Sequence, residues 1–239
     1  MKTFLSHITK TTFSLFLVST TLMFDACKKK ECKECEKCSA TNSGGTQATL
    51  TLQPDAAAGV DASLGYHDNY GTDVNNYGTD AQFKVSCRPG YSGGRQSVRE
   101  LIKFDLSSIP TAATVQSAKL YLYATGYINT SVQGHSGSNT ALLERITSPW
   151  SESTVTWATA PTSSGIDEVA VPQSTVSDQD YVINVTQLVS RMVSSPSTNY
   201  GFYFHLVTED PANGAWLFFY SSDHTDPTKR PKLVVTYTN

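Results

Sequence analysis

Four tyrosines and a run of basic residues are the side chains in this 239-residue sequence whose types and spacing could do chemistry. Tyr66, Tyr70 and Tyr77 lie in the stretch GYHDNYGTDVNNYGTD, and Tyr91 follows Pro89 and Gly90. Tyrosine rings are rigid and amphipathic, and their faces can stack on the apolar face of a pyranose ring. The same four rings could instead pack their loops onto the body of a domain. Arg88, Arg95, Arg99 and Lys103 follow closely. Period-two alternation puts Arg99, Leu101 and Lys103 on the strand face opposite Ile102 and Phe104. A guanidinium there could hold a uronate carboxylate or a sulfate through two parallel hydrogen bonds, or could be structural and pair with Asp105 or Glu100.

Hard oxygen donors crowd the same region. Asp55, Asp61, Asp73, Asn75 and Asp80 could together supply several of the six to eight oxygens that calcium takes. Their spacing lacks the EF-hand pattern and its terminal glutamate, and Asp/Asn-rich loops also occur simply solvated. The expectation is therefore an optional structural calcium ion, with no cofactor required. Enzyme signatures are scarce: there is no GxSxG, HExxH or phosphate-cradling loop. His7, His67, His135, His205 and His224 show no metal-ligand spacing. Glu100, Glu144, Glu152 and Glu209 could supply a carboxylate pair for glycoside hydrolysis, yet nothing in the sequence brings two of them together.

The elements that must carry these residues are mostly strands. In SVRELIKFDLSSIPTAATVQSAKLYLYA, from Ser97 to Ala124, Ile102, Phe104 and Leu106 alternate with polar residues, as do Leu120, Leu122 and Ala124. Two strands with one apolar and one wet face, joined by a Ser/Pro-containing loop, describe part of a β-sandwich. ATLTLQPD, AQFKVSCR, ALLERIT, NYGFYFHLV, WLFFYSSD and KLVVTYT also read as strands, and Thr154 to Trp157 as a short one. Ala56 to Asp80, where Asn-Tyr-Gly-Thr-Asp occurs twice, reads as loop, and 162–180 carries few signals. Val185, Leu188, Val189 and Met192 switch to helical spacing. The expected fold is all-β, an antiparallel jelly-roll-like sandwich with one short helix near 186–194. Trp150 and Trp157 read as framework rather than as platforms.

Charged residues make up 16% of the chain and the net charge is −3, so nothing global points to nucleic acid. Residues 1–26 combine a basic head with a short apolar run and read as a secretory signal. Ala26-Cys27 is similar to the cleavage site of bacterial lipoprotein precursors, although Phe24 and Asp25 depart from the usual leucine and small residue. That likeness implies lipidation of Cys27 and anchoring at the bacterial cell envelope, at the outer membrane facing outward; separately, a monomer is expected. Residues 27–47 read as a flexible tether, since they lack apolar residues. Cys32, Cys35 and Cys38 within it suit a disulfide better than zinc, which would need a fourth ligand. Cys87 stands apart and reads as a half-buried thiol.

Taken in order, LIKFDLSSIP (101–110), SAKLYLY (117–123), Trp150-Ser-Glu with VTW (155–157), Asn184-Val-Thr-Gln-Leu-Val, NYGF (199–202), FYSSD (219–223) and RPKLVVTY (230–237) are a recognisable set. With this set the chain resembles the DNRLRE-domain proteins, a family that includes disaggregatase-related repeats and the family 96 carbohydrate-binding modules. The resemblance covers nearly all of 50–239 and implies a β-sandwich that binds polysaccharides, acidic ones such as alginate included. The Tyr-rich insertion at 66–80 is longer than that pattern, and no catalytic domain accompanies it. The reading is a non-catalytic, surface-displayed polysaccharide binder. The alternatives are a structural or adhesive sandwich, or a polysaccharide lyase or hydrolase.

Overall fold

Alternating apolar residues become the inward faces of most of the twelve strands among the described residues, and they do so in an all-β antiparallel sandwich with one α-helix among those residues. The computed structural model describes residues 45–239 except 73, 91, 92, 127–133, 210 and 211, with residues 70–72 described by backbone alone. The expected export signal, Cys27, the expected tether up to residue 44 with Cys32, Cys35 and Cys38, and also Asp73 and Tyr91 lie outside the described residues, while Gln47, expected in the tether, is the first residue of a strand.

The smaller sheet has the order β1 (Gln47–Leu52), β12 (Lys232–Thr238), β6 (Thr114–Leu122) and β9 (Tyr181–Asn184). The larger sheet runs β11 (Ala215–Tyr220), β4 (Gln82–Pro89), β5 (Arg95–Lys103), β10 (Phe202–Leu206), β7 (Ala141–Ile146) and β8 (Ser163–Val171). β2 (Val60–His67) also pairs with β5, and β3 (Gly71–Thr72) pairs with β2. Between the two sheets lies the main core, in which Phe83, Phe204, Phe219, Leu120, Leu122 and Leu217 are fully buried. Burying a side chain of this size contributes about 1.5–3 kcal/mol. The helix α1 (Thr186–Ser194) follows β9 directly and buries Leu188, Val189, Met192 and Val193 against this core. Its start is tied to β6 because the Thr186 hydroxyl accepts the Ala118 N–H at 2.9 Å and donates to Asn184 Oδ1 at 2.6 Å.

β5 is shared by three neighbours. β2 runs along it from Val60↔Lys103 to His67↔Gln96, β4 pairs with Arg95 to Val98, and β10 pairs with Glu100 to Ile102. Glu100 sits where β4 leaves and β10 joins, buried to 1% exposure. Its Oε1 accepts the Lys84 N–H at 2.8 Å and a hydrogen bond from the Ser63 hydroxyl, so groups left unpaired by the fork are satisfied.

Four local expectations are corrected. Val60–His67, expected within a loop, is an eight-residue strand. Ser163–Val171, expected to carry few signals, is a strand at the edge of the larger sheet. Thr154 to Trp157, expected as a strand, is turn leading into a single 3-10 turn at Trp157–Thr159, closed by Thr156 and Thr159. Cys87 is fully buried, with its sulfur 3.6 Å from the Ser97 hydroxyl, rather than half-buried.

Candidate functional site

Alternation on β2 puts Ala62, Leu64 and Tyr66 on the outer face of the larger sheet, and the β5 register sets Leu101 beside Ala62 and Arg99 beside Leu64. β10 and β7 continue this face with Tyr203 opposite Leu101 and Glu144 opposite Tyr203. Part of it is apolar and covered. Ala62, Leu64, Leu101, Ile146, Val155 and Tyr203 form a second, smaller core, against which Trp150 and Trp157 pack from the segment 147–162. That segment is fastened by Trp150 Nε1 donating to Tyr200 O at 2.8 Å, and by Asn76 Nδ2 donating to the carbonyls of Glu152 and Val155 at 2.6 and 2.8 Å. Asn76 opens the second Asn-Tyr-Gly-Thr-Asp copy, so part of the polar insertion works as a clamp.

Beyond the covered part runs a strip of aromatic and charged side chains. The Tyr66 and Trp157 rings are stacked, with centroids 5.1 Å apart at 28°. Arg95 lies 5.3 Å from the Tyr66 centroid, and Arg99 lies 4.4 Å from that of Trp157. Arg99 also holds Glu209 at two points, Nε to Oε1 at 2.7 Å and Nη2 to Oε2 at 3.1 Å, and donates from Nη1 to the Tyr203 hydroxyl at 3.1 Å. Arg95 approaches the same carboxylate at 3.7 Å. Burial acts against the charge on Arg99, but the hydrogen bond to Glu209 and the partner Tyr203 outweigh it and hold the guanidinium firmly protonated. Burial pushes the Tyr203 phenol up, while Arg99 acts to lower it. Farther along, Tyr203 meets His205 edge-on at 5.7 Å, and His205 Nε2 stands 3.5 Å from Glu144, which also accepts from the Ser163 hydroxyl.

Of the residues singled out in the sequence, the structure brings Tyr66, Arg95 and Arg99 into this strip. The carboxylate that pairs with Arg99 is Glu209, not Asp105 or Glu100. Tyr77 bridges to Ser63 and lines, with Tyr66, His67, Lys84, Gln96 and Val98, a shallow pocket of about 220 Å3. Tyr70 ends a one-turn 3-10 helix, Asp68–Tyr70. Arg88 is exposed and donates to Gln96 Oε1 at 2.9 Å. Lys103 lies at the far end of β5, beside Met192 and Val193 of α1. Trp157 is partly buried and shared between the small core and the strip, so the framework reading covers only half of its role.

A second aromatic face was carried by the alternation of β6 but not singled out for binding. On the outer side of the smaller sheet, Lys232 lies 4.6 Å from the Tyr121 centroid and 5.7 Å from that of Tyr123, with Lys229 5.8 Å from Tyr123.

The expected oxygen-donor set is distributed differently. Asp55 Oδ1 accepts the Ala57 and Ala58 N–H groups at 3.1 and 3.2 Å, as an Asx turn. Asp80 accepts the Gln82 N–H at 3.1 Å and pairs with Lys84, and Asn75 Nδ2 reaches the Tyr77 hydroxyl at 3.5 Å. Asp61 instead joins Glu152 and Asp223, partners that its neighbours in sequence gave no reason to expect. Burial pushes the Asp61 carboxyl up to about 7, against the opposing influence of the Ser222 side chain and N–H beside it. Burial likewise raises Glu152, and burial together with Asp80 raises Asp223.

The sequence matches the family model for carbohydrate-binding module family 96 over residues 48–237. No curated protein matches the chain.

Proposed function

The chain belongs to carbohydrate-binding module family 96, and on that premise we propose that it binds a polysaccharide without cleaving it, along the strip of Tyr66, Trp157, Arg95 and Arg99. The observation that carries this reading is the two stacked rings with a guanidinium beside each, one ring on β2 and the other on the segment 147–162 that packs onto the same sheet face. Aromatic faces suit the C–H faces of sugar rings, and guanidinium forks suit carboxylates or sulfates. An acidic polysaccharide such as alginate engages both. Glu209 then acts as an internal stand-in for the uronate carboxylate, holding Arg99 in its binding geometry until an acidic sugar shares or replaces it.

Absence of cleavage is part of the proposal. The carboxylates along the strip are already engaged, Glu209 by Arg99 and Glu144 by Ser163 and His205. The same reading has the domain carried outward from the outer membrane as a monomer, on a tether that is lipidated at Cys27 and ends before β1. Replacing Cys27 with serine is expected to release the protein from membranes, and a mutant that stays bound would refute the anchor. Affinity electrophoresis of the purified chain through gels containing alginate, pectin or neutral glucans tests the binding. Retardation by the acidic gels is expected, and unchanged mobility in every gel would favour a structural or adhesive sandwich. Release of unsaturated or reducing ends would show catalysis.

A further inference from the structure

Away from the strip, three carboxylates from distant parts of the chain converge. Asp61 comes from β2, Glu152 from the segment 147–162 and Asp223 from the turn after β11, and one oxygen of each lies within 4.8 Å of the others. The backbone fixes this arrangement. The Asp61 N–H donates to Glu152 Oε1 at 2.9 Å, and the Ser222 N–H donates to Asp61 Oδ2 at 2.9 Å. Among the described residues no lysine, arginine or histidine forms an ion pair with any of the three.

Two further observations point to a positive guest. Ser222 is only 2% exposed and its side chain faces the Asp61 carboxylate, yet its hydroxyl oxygen makes no hydrogen bond of proper geometry. Asp223 Oδ2 is likewise enclosed and without a hydrogen-bond partner. Enclosed oxygens left in this state are costly unless something electropositive satisfies them.

We propose that Asp61, Glu152, Asp223 and the Ser222 hydroxyl form a binding site for a calcium ion. All four donors are hard oxygens, as calcium prefers, and with calcium–oxygen distances of about 2.4 Å carboxylate oxygens lying within 4.8 Å of one another can share a single ion. Magnesium, with its strict octahedral demands and reluctance to give up water, is seldom held by an all-protein set of this kind. The ion ties β2, the β11 turn and the segment 147–162 together, five residues before Trp157. Calcium thereby sets the position of the segment that supplies one ring of the strip, through a site separate from the glycan itself.

The test uses the purified chain stripped with EDTA and titrated calorimetrically with calcium chloride alone, together with thermal unfolding in EDTA, calcium or magnesium. One calcium per chain is expected to bind with a Kd of about 1 mM or tighter, and saturating calcium to raise the midpoint by several degrees. Asp223→Asn and Glu152→Gln are expected to weaken calcium binding at least ten-fold. In EDTA both variants should unfold cooperatively at or above the wild-type midpoint, since each removes a repelling charge. Absence of heat and of a midpoint shift in the wild type would overturn the proposal, as would wild-type affinity in both variants. An equal response to magnesium would overturn the choice of calcium. Glycan binding plays no part in these readouts, so the site stands or falls independently of the strip.

Discussion

The Arg99 guanidinium rests 4.4 Å from the centre of the Trp157 ring while gripping Glu209 at two points, 2.7 and 3.1 Å long. One side chain thus joins an aromatic surface to an internal carboxylate, and replacing either partner should read out differently. Arg99→Ala should lower affinity for an acidic oligosaccharide at least ten-fold, about 1.4 kcal/mol. Glu209→Gln should raise that affinity several-fold by removing the competing carboxylate, and cost about 1 kcal/mol of stability because the pair is only partly shielded from water. Calorimetric titrations with oligouronates check both, and a loss of affinity in Glu209→Gln would show that Glu209 supports the ligand rather than competing with it.

Tyr66 stacks on Trp157 from the half-buried end of β2. Tyr66→Ala should weaken glycan binding about three- to ten-fold, the usual range for one aromatic contact, and leave the thermal midpoint within a few degrees. Trp157→Phe keeps apolar volume against the small core while shrinking the platform, so it should lower affinity more than stability. If Tyr66→Ala instead unfolds the protein near room temperature, the ring is a packing residue.

Glu100 predicts a pH dependence. Full burial raises its carboxyl well above the ordinary glutamate value, against the opposing hydrogen bonds from Ser63 and Lys84. A raised folded-state pKa contributes stability that is complete below the unfolded value of about 4.5 and is lost as pH climbs through the folded value. The wild type should therefore melt at progressively lower temperature from pH 5 to pH 8. Glu100→Gln keeps an acceptor for the Lys84 N–H and removes the charge, so its midpoint should vary less over that range and exceed the wild type at pH 8. An unchanged slope would mean that Glu100 is ionised in the folded protein over that whole range.

Gly201 offers a purely structural check. Its φ is +90°, and a Cβ there would meet the Ile102 carbonyl oxygen at 2.3 Å, inside the β5–β10 pairing. Gly201→Ala should cost more than about 2 kcal/mol in urea unfolding, from backbone strain and separation of the strands. A cost under about 0.5 kcal/mol would show that the strands yield easily.

The legible parts of the fold were those in which one face is uniformly apolar. Val185, Leu188, Val189 and Met192 announced α1, and Ile102 with Leu120 and Leu122 announced β5 and β6. β2 was hidden because its inward side reads Asp61, Ser63, Gly65, residues that meet Glu100 and Ser222 instead of the main core and so imitate a loop. β8 was hidden as a bulged edge strand whose burial does not alternate cleanly and which leaves Ile166 exposed. At the site, Tyr66, Arg95 and Arg99 were visible as residue types, but Glu209 is 110 positions from Arg99 and no local spacing could pair them. Asp61, Glu152 and Asp223 were separated for the same reason, because only the closed sandwich brings their segments together.

The most direct test of the central claim is a calorimetric titration of the purified chain, in low-salt buffer containing calcium, with a defined alginate oligosaccharide and with a neutral oligosaccharide of equal length. The account predicts saturable binding of the acidic ligand that weakens with added salt and is reduced at least ten-fold in Arg99→Ala. Equal affinity of the wild type and Arg99→Ala for the acidic ligand, or no heat with either sugar, would contradict it.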